Sequence, residues 1–157
     1  MEMIVATALF ALFATFAITV LNPFEQYKKA QAGEIKSDLA QIQRALEIYY
    51  NDFGQYPAHS TINPTYQIVD QSNQIGWGES WKPYIDVLPP SPNGSYVYYA
   101  TGDQQSYYIY ASISRGDKDP DTCNDGGACS SLQALGIPES ACGDICNYGV
   151  SSPNVSP

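Results

Sequence analysis

Residues 36–57 read KSDLAQIQRALEIYYNDFGQYP, and they settle the fold class. Together with Ile35 just ahead, apolar side chains fall at Leu39, Ile42, Leu46, Tyr49 and Phe53, at alternating spacings of four and three. That spacing draws one apolar stripe along an amphipathic helix, with Lys36, Asp38, Gln41, Gln43 and Glu47 off the stripe. Gly54 and then Pro57 supply the stop. A helix that is apolar on one side has to bury that side, so the chain beyond must be the body it packs against.

Upstream the pattern changes. After Glu2 no charge appears until Glu25, and the run from Met3 to Leu21 is rich in Ala, Leu, Ile, Val and Phe. A helix of about 20 apolar residues crosses a bilayer, so residues 1–24 are expected to form a hydrophobic membrane helix. A cleavable signal would show a basic start, a shorter apolar core and a small-residue cleavage site, none of which is clear. Lys28 and Lys29 follow the run, which by the positive-inside rule points away from an exported body, although nearby acids nearly balance them. Pro23 removes a helical donor and Gly33 loosens the backbone, so both are expected kink sites. Glu2 has two readings. It either rests in the headgroup layer or awaits a cationic partner from another chain and so sets subunit registry.

Downstream, residues 57–92 are turn-rich, with a short strand at 66–69 and aromatic anchors at Trp77 and Trp81. The runs SYVYYAT (95–101) and QSYYIYASI (105–113) flank Gly102-Asp103 and read as a β-hairpin, though not as to which face is buried. The expected fold is α+β. A long N-terminal helix packs on a small antiparallel sheet, followed by a disulfide-containing C-terminal loop region. Residues 25–157 form the globular head, made of the helix at 25–53, the hairpin at 95–113 and a cysteine-rich tail at 114–157.

The formal charge of −9 is concentrated in the head. Beyond Asp52 the only cations are Lys82, Arg115 and Lys118. Such a surface repels a phosphate backbone, so no dedicated nucleic-acid binding is expected. The four cysteines, Cys123, Cys129, Cys142 and Cys146, are spaced C-x5-C and C-x3-C, unlike the C-x2-C pairs of zinc knuckles. Disulfides are expected, hence a compartment outside the reducing cytosol. Sequence leaves three pairings open, with Leu132, Leu135 and Ile137 between the pairs inclining toward the local one.

No catalytic constellation is present. His59, the only histidine, lies in a Pro/Ser/Thr-rich stretch and reads as a surface residue. A membrane-anchored enzyme is the distant alternative. Clustered strand tyrosines read as packing. The one ligand candidate is GDKDPDTCNDGG, where Asp117, Asp119, Asp121 and Asp125, helped by Asn124, offer hard oxygens suited to calcium. It is not an EF-hand, because Thr122 stands at the turn-glycine position and Ala128 at that of the bidentate Glu. A solvated acidic loop closed by a disulfide is the alternative.

These pieces resemble type IV pilins and the major pseudopilins of type II secretion. The resemblance rests on M-E-M before the apolar run, on KSDLAQIQRALEIYYNDFGQYP, and on WKPYIDVLPPSPNGSYVYY at 81–99. It implies a structural subunit that polymerises helically through its apolar helix, waits in the cytoplasmic membrane before assembly, and is handled by prepilin peptidase and an inner-membrane pilus or secretion machinery. Glu2 would correspond to the glutamate thought to pair with a neighbour's terminal amine. Aligned on it, the family's basic leader and about three mature residues lie outside this sequence. The resemblance also implies a calcium site in the loop after the hairpin. The expected function is an extracellular pilus-like filament for adhesion, motility or uptake, with a major pseudopilin as the alternative.

Overall fold

The computed structural model describes residues 2–63 and 65–157; the side chains of residues 17–21 are outside the description, as is Met1. Two helices lead the chain, α1 (Glu2–Leu21) and α2 (Pro23–Phe53). Between them Asn22 leaves the helical region, with φ 39° and ψ 71°, and Pro23 opens α2 at a position where its missing N–H costs nothing. The expected kink at Pro23 is thus a break one residue earlier. Gly33 does not interrupt α2, which runs continuously through it. Gly54, at φ 69°, caps α2 and donates its N–H to Tyr50 O at 2.7 Å.

The stripe is buried from Ala32 through Ile35, Leu39, Ile42, Ala45 and Leu46 to Tyr49. Phe53 departs from the expectation. It lies at the last position of α2, is 45% exposed, and stacks on Tyr49 instead of entering the core.

Two three-stranded antiparallel sheets follow. The first is β1 (Ala58–His59), β2 (Ile68–Asp70) and β3 (Asn73–Ile75), in the stretch where only one strand was expected. Both tryptophans tie it down: Trp81 Nε1 donates to Asp70 Oδ2 at 3.0 Å, and Trp77 Nε1 to Tyr96 O at 2.8 Å. The second sheet is β4 (Val97–Ala100), β5 (Tyr107–Ala111) and β6 (Tyr148–Ser151), in that order, with Val97 opposite Tyr110 and Tyr108 opposite Ser151. The hairpin turn is wider than Gly102-Asp103 alone. Gln104 takes the left-handed conformation, and Thr101 N–H closes the turn on Ser106 O at 2.9 Å.

The β4–β5–β6 sheet is covered on both sides. Tyr96, Tyr98, Tyr107, Ile109 and Ala111 pack against the α2 stripe together with Trp81 and Leu88. Val97 and Tyr110 face a second cluster made of Cys129, Leu132, Ile137, Cys142 and Cys146. The tail is therefore a third layer with its own short helix, α3 (Ser131–Leu135), and it contributes a strand besides. The structure joins Cys123 to Cys129 and Cys142 to Cys146. Gly94 and Gly143 let two backbones meet there: both have positive φ, and a Cβ on Gly94 would lie 2.3 Å from Cys142 O.

Candidate functional site

Two regions carry the features that matter for function, the surface of α1 and the acidic loop that meets the first half of α2. On α1 the large side chains of Met3, Ile4, Val5, Leu9, Phe10, Leu12, Phe13 and Phe16 are all exposed. Monomeric soluble proteins rarely leave so continuous an apolar surface uncovered, and one of this kind marks a lipid or protein contact. Glu2 is exposed at the first turn and, among the described residues, has no hydrogen-bond or ion-pair partner. The helix dipole favours a carboxylate at this end. Among the described residues no helix is long and apolar enough to cross a membrane. α1 as a helix extends to Leu21.

The loop after β5 does not gather its four carboxylates at one point; only Asp119 and Asp121 come together, on Lys36. Asp117, Asp121 and Asp125 are exposed, and among the described residues no group of three or more His, Cys, Asp or Glu side chains converges. Lys36 stands where the sequence offered no reason to look. From the flank of α2 its Nζ donates to Asp119 Oδ1 and to Asp121 Oδ2, each at 2.7 Å, and it lies 5.6 Å from the Tyr148 ring centroid. Burial works to lower the Lys36 pKa, but the hydrogen bonds to Asp119 and Asp121 outweigh it and hold the ammonium above its ordinary value. For Asp119 burial works upward, and the bond from Lys36 with the Asp121 N–H brings the net shift down. Thr122 Oγ1 lies within reach of two loop carbonyls, Gly116 O at 2.6 Å and Asp119 O at 2.7 Å, and its one proton is shared between them. A calcium ion asks for six to eight oxygens. The residues present do not fit the calcium site that the sequence suggested.

Asn147 was likewise silent in the sequence. Buried between β5 and the loop, its Oδ1 accepts from Ile113 N–H at 2.8 Å, while its Nδ2 donates to Ile113 O at 2.9 Å and Gly126 O at 3.4 Å. His59 is not a loop surface residue. It lies half-buried on β1, stacked on Tyr99 with ring centroids 4.3 Å apart, and its Nδ1 accepts from Ala100 N–H. Burial lowers its pKa.

An exposed apolar helix, joined through a break to an amphipathic helix that packs on a small antiparallel sheet, defines a pilin-like subunit. Its disulfides lie on the face of the sheet away from that helix. The family of type II secretion system (T2SS) protein G matches residues 22–126, more than half of the chain, and the chain belongs to it. No curated protein and no solved structure matches the chain. The family is one of structural pseudopilins, not an enzyme class.

Proposed function

We propose that this chain is a major pseudopilin. Its α1 helix packs with copies of itself to form the core of a short periplasmic pseudopilus, and the head faces outward. The single observation that carries the reading is α1, whose described side chains at residues 2–16 are exposed and almost all apolar, on a head whose own core is complete without it. Family membership moves the preferred reading from the extracellular adhesive or motile pilus to the secretion pseudopilus. The partners that follow are other copies of the chain and the inner-membrane secretion machinery, with the membrane holding the subunit before assembly. Glu2 acts in registry: an unpaired carboxylate buried among apolar helices costs several kcal/mol, on the order of the penalty for an isolated buried charge, so misaligned docking is rejected.

The test is Glu2→Ala in source cells at matched expression. The head should fold as in the wild type, while incorporation into sheared filaments and export of secreted proteins both fall. Wild-type filament yield from the variant would overturn the registry role. Normal protein export from cells lacking the chain altogether, with surface filaments lost, would return the reading to a pilus.

A further inference from the structure

We propose that Lys36 is a built-in substitute for a structural metal ion, clasping the acidic loop to the filament helix so that the head holds its shape without calcium. This goes beyond the pseudopilus reading and stands whether or not the subunit polymerises. The loop brings a density of carboxylates that ordinarily calls for a counter-cation, since like charges held close disfavour the compact state. Here the cation comes from the chain itself, 83 residues from Asp119 and 85 from Asp121.

The geometry is that of a site already filled. The Lys36 side chain is 27% exposed and that of Asp119 is 11%, so their 2.7 Å pair is partly sheltered from water and from screening salt. Asp119 Oδ1 also accepts the Asp121 backbone N–H at 3.1 Å, which fixes that carboxylate against the turn. Two of the three donors of the ammonium are committed to carboxylates on opposite sides of Pro120, while its charge faces the Tyr148 ring on β6. The clasp thus touches α2, the loop and the third strand of the sheet at one point. A second, more exposed pair runs the other way, from Lys118 of the loop to Glu25 of α2 at 3.3 Å. A divalent ion entering here would meet the fixed positive charge of Lys36 at contact distance from both carboxylates. Asp117 and Asp125 are exposed, and they do not converge on a common point with the other two.

The experiment uses the full chain in detergent micelles, followed by circular dichroism on heating and by limited trypsin digestion. Wild-type protein should melt at the same temperature in excess chelator and in millimolar calcium chloride. Lys36→Met, which keeps the stem and removes the charge, should melt lower by about 3–8 °C. Cleavage after Arg115 and Lys118 should speed up in the same variant. Should Lys36→Met fail to fold, Asp121→Asn removes the exposed arm of the clasp and should speed the same cleavages without unfolding the chain. Loss of wild-type stability in chelator that calcium restores, with calcium retained stoichiometrically on dialysis, would overturn the proposal. So would a Lys36→Met protein whose melting and loop cleavage match the wild type.

Discussion

Replacing Asn147 by alanine should unfasten the cysteine-rich layer from the sheet even though both disulfides remain. Asn147 is 6% exposed and its side-chain amide acts as a piece of backbone: it accepts from the N–H of Ile113 and donates to the same residue's C=O, at 2.8 and 2.9 Å. Ile113 itself is 2% exposed, so in the alanine variant its N–H faces apolar surroundings or a newly admitted water, while its C=O keeps the Gly116 N–H at 3.2 Å. A buried group left without a partner costs ~1–3 kcal/mol, which puts the loss near ~2 kcal/mol for this one amide. For a folded unit of this size that corresponds to a fall in Tm of about 6 °C. The same-size change Asn147→Asp separates bonding from packing. It keeps an acceptor for Ile113 N–H but turns a carboxylate oxygen toward the carbonyls of Ile113 and Gly126, so at neutral pH it should destabilise at least as much. Thermal unfolding of the full chain in micelles gives the magnitude, and hydrogen exchange at the Ile113 amide gives the place. If both variants melt with the wild type and that amide stays protected, the disulfides and the apolar contacts of Leu132 and Ile137 hold the layer, and the role given to Asn147 is wrong.

Stability should also fall steeply in alkali. Burial pushes Tyr110 up to about 12 despite its bond with the Ser131 hydroxyl, and Tyr56, Tyr96 and Tyr107 are raised as well, by burial first. Because the folded values exceed the unfolded one near 10, the unfolded chain loses its protons first. Stability is then intact below about pH 10 and declines above it by ~1.4 kcal/mol per pH unit for each such tyrosine. Denaturant midpoints unchanged from neutral pH through that range would refute it. Along α2, Leu39→Ala should cost ~3 kcal/mol, since Leu39 is fully buried, whereas Ile48→Ala at a half-exposed site should cost ~0.5 kcal/mol or less. Equal losses in urea titration would mean that α2 does not pack by its stripe.

What the sequence disclosed and what it hid divide along one physical line. The α2 stripe and its Gly54 stop are local patterns of a few residues, and periodicity reports them directly. The hairpin is local too, but its buried face was unreadable because both faces are buried: Tyr98 and Tyr110 are equally inaccessible on opposite sides. Alternation carries information only when one face meets water. β6 was hidden for a related reason, since YGVS is short and follows a cysteine-rich loop with no turn signal tying it to β5, its partner forty residues earlier in the chain. Phe53 shows the limit of periodicity at an end: it has the right spacing but lies at the last turn, where nothing remains to cover it. The acidic run suggested a ligand because composition cannot show that a cation is supplied from 83 residues away.

The residues placed off the stripe turn out to fix the helix more specifically than the stripe itself. An apolar face alone resists separation, yet it resists rotation or sliding by a turn only weakly, because dispersion and burial are non-directional. Directional bonds remove that freedom. Lys36 reaches the loop, Asp38 accepts from Tyr96 OH at 2.7 Å, Gln43 donates to Ser151 O at 3.1 Å, and Glu47 accepts from Tyr56 OH at 3.0 Å. These four contacts are spread along α2 and end on four different parts of the head. Turning α2 in place would break them together, and with each break a half-buried charge or carbonyl would lose its partner. At the other end the junction is the opposite: Asn22 is outside the helical region and Pro23 contributes no N–H, so few bonds resist a change of angle there. If α1 exchanges lipid for neighbouring helices, as the proposed pseudopilus requires, that arrangement confines adjustment to the junction and leaves the contacts of α2 with the head intact.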